Sequence, residues 1–200
     1  MNDRDLVLHG LAIKRHATAA DVAELIDLAG PRVSALLATA AATHRAVEVS
    51  AAFALTPLGR VALEGRYSLH FNAVRGDSEF VAAYESFEKL NRSLKDVITA
   101  WQTLDVGGAR VANDHSDPAH DAQVLARLGR VQDQIEPILT RLSRRIPRLR
   151  VYEDKLLTAL EAAEDGDAAW VSDVRRASYH TVWFELHEDL LRIMGKTREE

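Results

Sequence analysis

Two histidines close to the C-terminus, His180 and His187, are the residues of this 200-residue chain best placed for chemistry. They are seven positions apart in Tyr179-His180-Thr181-Val182-Trp183-Phe184-Glu185-Leu186-His187. On a helix that separation is roughly 10 Å along the axis, so one metal ion cannot take both. Zinc enzymes that use two histidines of one helix space them four apart. Two readings stay open. The imidazoles are hydrogen-bonded core groups, or they line a small-molecule effector pocket with Tyr179, Trp183 and, from an earlier helix, Asn91 and Trp101. Asn113-Asp114-His115-Ser116-Asp117-Pro118-Ala119-His120-Asp121 is dense in metal-ligating types. It matches no metal motif, and its plainer account is a turn leading into a helix that Ser116 or Asp117 caps and Pro118 opens. Arg141, Arg144, Arg145, Arg148 and Arg150 form the basic cluster of the chain. They suit the negative end of a helix, with an anion site for a phosphorylated effector as the alternative. No nucleophile–base pair emerges, so neither an enzyme nor a cofactor is expected.

The elements that hold these residues are helical. Tyr84, Phe87, Leu94, Ile98 and Trp101 follow alternating steps of three and four in a series that includes Asn91, which predicts a helix from Ser78 to about Leu104 with Asn91 on its seam. Val106 to Pro118 is expected to be a loop, and Gly107-Gly108 lacks the context of a phosphate loop. Val124, Leu128, Val131, Ile135, Ile138 and Leu142 predict a second helix from Pro118 to Ile146, kinked or broken near Pro137. A shorter helix over Tyr152–Ala163 and a last one over Val174–Met194, closed by Gly195, complete an antiparallel helical bundle across residues 77–196.

Residues 1–70 read differently. A leading helix over Met1–His16 places His9 and His16 at the surface. Thr18 and Asp21 form a capping pair ahead of Val22, Leu25 and Ile26. Ala29-Gly30 ends that helix with a left-handed glycine, and Pro31 opens the next, which runs to about Ala42. Ala46–Val49 and Phe53–Leu55 are strands about a turn at Ser50-Ala51-Ala52, and Thr56-Pro57 starts a helix with Leu58, Val61 and Leu63 inward. This is the order of a winged helix-turn-helix with a small two-stranded wing, and a boundary is expected between Tyr67 and Asp77.

The run Phe53-Ala54-Leu55-Thr56-Pro57-Leu58-Gly59-Arg60 resembles the end of the wing in MarR-like winged-helix proteins. The resemblance covers about the first third of the chain. It implies that the helix from Pro31 enters the DNA major groove, with Arg32, Ser34 and Thr39 reading bases and Arg45 and Arg60 on phosphates. The chain departs from that pattern in charge. Ala35, Ala38 and Ala41 share the outward face, the wing tip has no Lys or Arg, and residues 1–66 carry seven basic and seven acidic side chains. Phosphate contacts supply most non-specific affinity, so weak DNA binding is expected.

Asn91–Gln102 (NRSLKDVITAWQ) and Tyr179–Leu191 (YHTVWFELHEDLL) are similar to a helical region that follows a winged helix in certain actinobacterial proteins. Related segments accompany pyruvate phosphate dikinase-like, phosphoenolpyruvate-utilising proteins. That resemblance implies a non-catalytic regulatory or accessory module.

The net charge is −5, all of it arising after residue 70, and there is no cysteine, which excludes disulfides and thiolate chemistry. No signal peptide or membrane-spanning stretch is recognised, so a cytoplasmic protein is expected. The expected fold is mainly α, with an N-terminal winged helix-turn-helix and a C-terminal antiparallel helical bundle. The expected function is a homodimeric transcription regulator that binds duplex DNA and senses an effector. The alternative is a docking module for a protein partner in a phosphoenolpyruvate-utilising system.

Overall fold

The computed structural model describes residues 1–197, and they are mainly helical. The chain forms two compact units, Met1–Asp77 together with the residues from His187 on, and Ser78–Leu186.

In the first unit the order is α1 (Asp3–Lys14), β1 (His16–Ala17), α2 (Ala19–Ile26), α3 (Gly30–Ala42), β2 (Ala46–Val49), β3 (Ala52–Leu55) and α4 (Pro57–Arg75). Asn2 caps α1 by accepting from the Asp5 amide. Thr18 and Asp21 form the expected reciprocal capping box on α2. The α2 helix ends earlier than the sequence suggests, because its left-handed closing residue is Asp27 at φ 54°. Gly30 is instead the first residue of α3. The axes of α2 and α3 differ by 116°.

Three helices share one apolar interior. Val7, Leu11 and Ile13 of α1, Val22, Leu25 and Ile26 of α2, and Val33 and Leu37 of α3 are all at most 2% exposed. Each such side chain contributes roughly 1.5–3 kcal/mol by leaving water. Gly10 lets α1 and α2 approach closely. A Cβ there would stand 3.0 Å from Val22 Cγ1 and 3.1 Å from Ile26 Cγ2.

The sheet has three strands in the order β1-β3-β2, one more than the sequence suggests. His16 pairs with Ala54 and Ala17 with Phe53, so β1 covers the second edge of β3. Val49 pairs with Ala52, leaving Ser50-Ala51 as a two-residue turn. Both turn residues are left-handed, at φ 52° and 63°. That is the type I′ hairpin geometry that Asn-Gly satisfies without strain. The Ser50→Asn/Ala51→Gly variant should therefore raise stability by about 1 kcal/mol, measured by chemical denaturation, and an unchanged midpoint would show that the turn relaxes.

Helix α4 begins as expected, with Thr56 accepting from the Gly59 amide and Pro57 in its first turn. It then continues to Arg75, and the passage to the second unit falls at Asp77, the end of the stretch where the boundary is expected. Leu63, Tyr67 and Phe71 face inward, whereas Leu58 and Val61 are 57% and 68% exposed and do not.

The second unit is built from α5 (Ser78–Gln102), α6 (Pro118–Ser143), a 3-10 turn at Pro147–Leu149, α7 (Arg150–Glu164), α8 (Ala169–Ser172) and the start of α9 (Tyr179–Met194). Helix α5 packs along α6, and α6 along α7. The α6 helix is capped by Asp117 and runs through Pro137 without interruption. The expected loop after α5 is in part a hairpin, β4 (Thr103–Val106) and β5 (Ala109–Ala112). Gly107 and Gly108 form its turn at φ 62° and 82°, the two positions where positive φ is required. Periodicity misses this hairpin because its residues are mostly exposed and do not alternate.

The boundary between the units falls within α9, which the sequence reading assigns whole to residues 77–196.

Candidate nucleic-acid interface and buried polar networks

Helix α3 buries Val33, Leu36, Leu37 and Ala40 and exposes Arg32, Ser34, Ala35, Ala38 and Thr39. Arg32 donates through Nε to Asp3 at 3.2 Å, with side chains 60% and 44% exposed. Such an exposed pair is worth little and exchanges readily for another anion. The hydroxyls are committed locally. Ser34 Oγ donates to the Gly30 carbonyl at 3.0 Å, and Thr39 Oγ1 to the Ala35 carbonyl at 2.9 Å. In these rotamers each oxygen still accepts, but neither offers a proton outward.

Arg45 precedes β2, and it borders a cavity of about 210 Å³ together with Thr39, Arg4, Asp5 and Arg66. Asp5, only 6% exposed, organises the wall of that cavity. Its Oδ2 accepts from Arg66 Nε at 2.9 Å and meets His70 Nε2 at 2.8 Å, and Asn2 Nδ2 adds a third contact at 2.9 Å. Arg66 remains 49% exposed while it makes this contact. Arg60 is exposed in the first turn of α4. The β2–β3 tip carries Ser50 and Ala51, so no cation extends from it.

The residues expected around an effector are not gathered in one place. In the second unit Trp183 Nε1 donates to Asn91 Oδ1 at 3.0 Å. Trp183 stacks between Phe87 and Tyr179, at centroid distances of 5.1 and 6.1 Å. Tyr179 donates to Gln132 Oε1 at 3.1 Å. Burial holds the Tyr179 phenol far above its ordinary pKa, with the Glu136 carboxylate adding to the effect. Asn91 thus meets another buried polar group across the helices, the seam role its position suggests. Gln132, 3% exposed, completes this cluster; it lies four residues after Leu128 and three before Ile135, on the apolar side of α6.

Trp101 lies ten residues further along α5, roughly 15 Å by helical rise. Its ring meets that of His115 at a tilt of 41° with centroids 4.6 Å apart, and its carbonyl accepts from Asn113 Nδ2 at 3.0 Å. His115 Nδ1 and Asn113 Nδ2 both meet Asp121, at 2.9 and 3.0 Å, so this polar loop is knitted to itself. His180 is half-buried in the second unit, while His187 is buried and belongs to the first. Among the described residues no group of three His, Asp or Glu stands close enough to hold a metal ion. In the basic cluster, Arg144 pairs with Glu79 at 2.8 Å.

The most developed polar site is one that sequence reasoning misses. His9, expected at the surface, is fully buried. Its Nε2 meets Asp189 Oδ1 at 2.8 Å and its Nδ1 meets Tyr67 Oη at 2.9 Å. Asp189 is also fully buried, and Tyr67 is 7% exposed. Burial pushes the Tyr67 phenol well above its ordinary pKa, while the Arg192 guanidinium beside it pulls the other way. The phenol therefore stays protonated and is suited to donate to His9 Nδ1. Carboxylate, imidazole and hydroxyl stand in the order of a hydrolytic triad. With all three enclosed, no substrate reaches the hydroxyl, and the chain of contacts instead fastens α1, α4 and the end of α9 together. One signal was available: Ala12 and Ile13, three and four residues beyond His9 on the same helical side, are apolar.

Around it lie further fixings. Arg192 Nη2 donates to Glu188 Oε1 at 2.6 Å and to the Ala12 carbonyl at 3.3 Å. Arg75 donates to the Ile193 and Arg192 carbonyls at 2.7 and 3.3 Å, capping the end of α9, where Gly195 takes φ 69°.

No single helix among the described residues is long and apolar enough to cross a membrane. No family model, curated protein or solved structure matches this chain.

Proposed function

We propose that this chain is a transcription regulator whose first unit is a winged helix-turn-helix that binds duplex DNA. In this reading the second unit is a helical bundle that serves dimerisation or ligand sensing. The observation that carries it is the pairing of α2 and α3 at 116°, followed directly by the β2–β3 hairpin. Helix-turn-helix pairs meet at roughly 90–120°, and the second helix is the one that enters the groove. The exposed side of α3 supports the assignment, since Arg32 there can fork onto a guanine edge and Ala35 and Ala38 leave room for thymine methyls.

The modest number of outward cations supports low affinity with a shallow salt dependence. Fluorescence anisotropy of a labelled duplex from upstream of the gene, titrated at several salt concentrations, tests this directly. Sequence-selective binding is expected, with Arg32→Gln weakening it by about tenfold or more, a loss of roughly 1–3 kcal/mol. Absence of binding at low salt would remove the reading.

A second reading has its own support. Val47 and Val49 on β2, and Leu58, Val61 and Leu69 on α4, are 44–76% exposed. Exposed apolar side chains in a segment whose basic and acidic residues balance, over residues 1–66, suit a protein-docking module of a phosphoenolpyruvate-utilising system. Capture of such an enzyme by a chain that ignores DNA would favour it.

A further inference from the structure

A cavity of about 470 Å³ opens in the first unit, lined by Arg15, Arg60, Arg192, Glu188, Leu11 and Leu55 among others. Three guanidinium groups and one carboxylate give its wall a net charge of two positive, in a chain whose net charge is −5. Concentrated positive charge of this kind focuses the local field on anions. Arg192 supplies a second observation. Its side chain is only 16% exposed. Its Nη2 is engaged by Glu188 and Ala12, yet Nε is buried with no acceptor among the described residues. A buried charged donor without an acceptor is costly, and such a cost is kept where a side chain is held in place for a role other than stability.

The geometry points to this cavity as a binding site for a small organic anion carrying a phosphate or carboxylate group. Guanidinium groups suit both, because their planar fork matches two oxygens at once. Leu11 and Leu55 provide an apolar wall for the body of the ligand, and the volume lies in the range of small-molecule pockets. Arg192 is held ready for this role. It lies three residues beyond Asp189, whose contact with His9 fixes that turn of α9 on α1. A binding group held by such supporting contacts loses little freedom when the ligand arrives.

The site differs in place from the aromatic cluster of the second unit, and it does not depend on DNA binding. Its test is isothermal titration of the full chain with inorganic phosphate and, separately, with succinate, without DNA and at constant ionic strength. One saturable site is expected for at least one of the two anions, and the better binder identifies the preferred head group. Arg60→Gln, on the exposed rim, should weaken that binding about tenfold or more without changing the melting temperature of the free protein. Arg192→Gln should weaken it at least as much, and Arg144→Gln, in the separate basic cluster, should leave it unchanged. Because Arg192 also holds Ala12, Arg60→Gln is the deciding variant. No saturable binding of either anion, unaltered binding in Arg60→Gln, or loss in Arg144→Gln would overturn the assignment. A negative titration leaves the DNA reading standing, and a chain that ignores DNA leaves this one standing.

Discussion

Replacing His9 with leucine should destabilise the first unit by about 3–5 kcal/mol, the range seen when a buried charge loses a partner. Leucine fills much of the imidazole volume, so the loss would not be mainly a cavity effect. It would come from Asp189, left fully buried without the group that now meets it at 2.8 Å. Tyr67→Phe removes only the outer member of the chain, and a cost of about 1 kcal/mol is expected. The double variant His9→Leu/Asp189→Leu removes both polar partners, and it should recover most of the single-variant loss, since apolar replacement of a whole buried pair is often neutral. Tryptophan fluorescence is the wrong probe, because Trp101, Trp170 and Trp183 all lie in the second unit. Amide hydrogen exchange of α1 and α4 reports on the first unit directly. A His9→Leu protein whose exchange there matches the parent would show that the network contributes nothing to stability.

Gly59→Ala should cost about 2–4 kcal/mol, although alanine is the better helix former. A Cβ at Gly59 would stand 1.9 Å from the Arg45 carbonyl oxygen and 2.8 Å from its carbon. The obstacle is backbone, so no side-chain rotation relieves it. The first turn of α4 would have to move away from the segment that leads into β2. That segment is joined to the turn by the Thr56 amide donating to the Arg45 carbonyl at 3.1 Å and Thr56 Oγ1 donating to the His44 carbonyl at 2.6 Å. Overpacking of this kind costs roughly 1–3 kcal/mol, and each lost hydrogen bond adds about 1. Gly65→Ala is the control on the same helix. Among the described residues nothing lies within 4 Å of a Cβ there, so it should stabilise by about 0.5–1 kcal/mol. Urea denaturation of the two variants, followed by hydrogen exchange of α4, should move in opposite directions. A shift of the same sign in both would mean that helix propensity, and not the contact with Arg45, governs position 59.

The two results bear on function through the same surface. His9 holds the turn of α9 that carries Arg192, and Gly59 holds the turn of α4 that carries Arg60. Both arginines face the cavity proposed to take an anion. The helix proposed to read DNA rests on separate contacts, namely the apolar side of α3 and the Asp3–Arg32 pair.

Local rules, read from the sequence alone, determined a good part of this protein. The Thr18–Asp21 box, the Thr56-Pro57 start of α4, Pro118 opening α6 and Gly195 closing α9 are each settled within a few residues, by cap chemistry or by a left-handed glycine. The apolar stepping of α5 and α6 gave those helices and the buried place of Asn91, because period alone decides which side leaves water. The tertiary structure decided what no local rule reaches. Strand β1 exists because β3 has a second edge to pair. Helix α4 runs to Arg75 because Tyr67 and Phe71 find an interior to enter. His9, Tyr67 and Asp189 come from positions up to 180 residues apart, and no spacing announces them. An isolated histidine in a helix gives the same local pattern whether it faces water or a carboxylate. Only the packing of α1 against α4 and the end of α9 makes it the centre of a buried network.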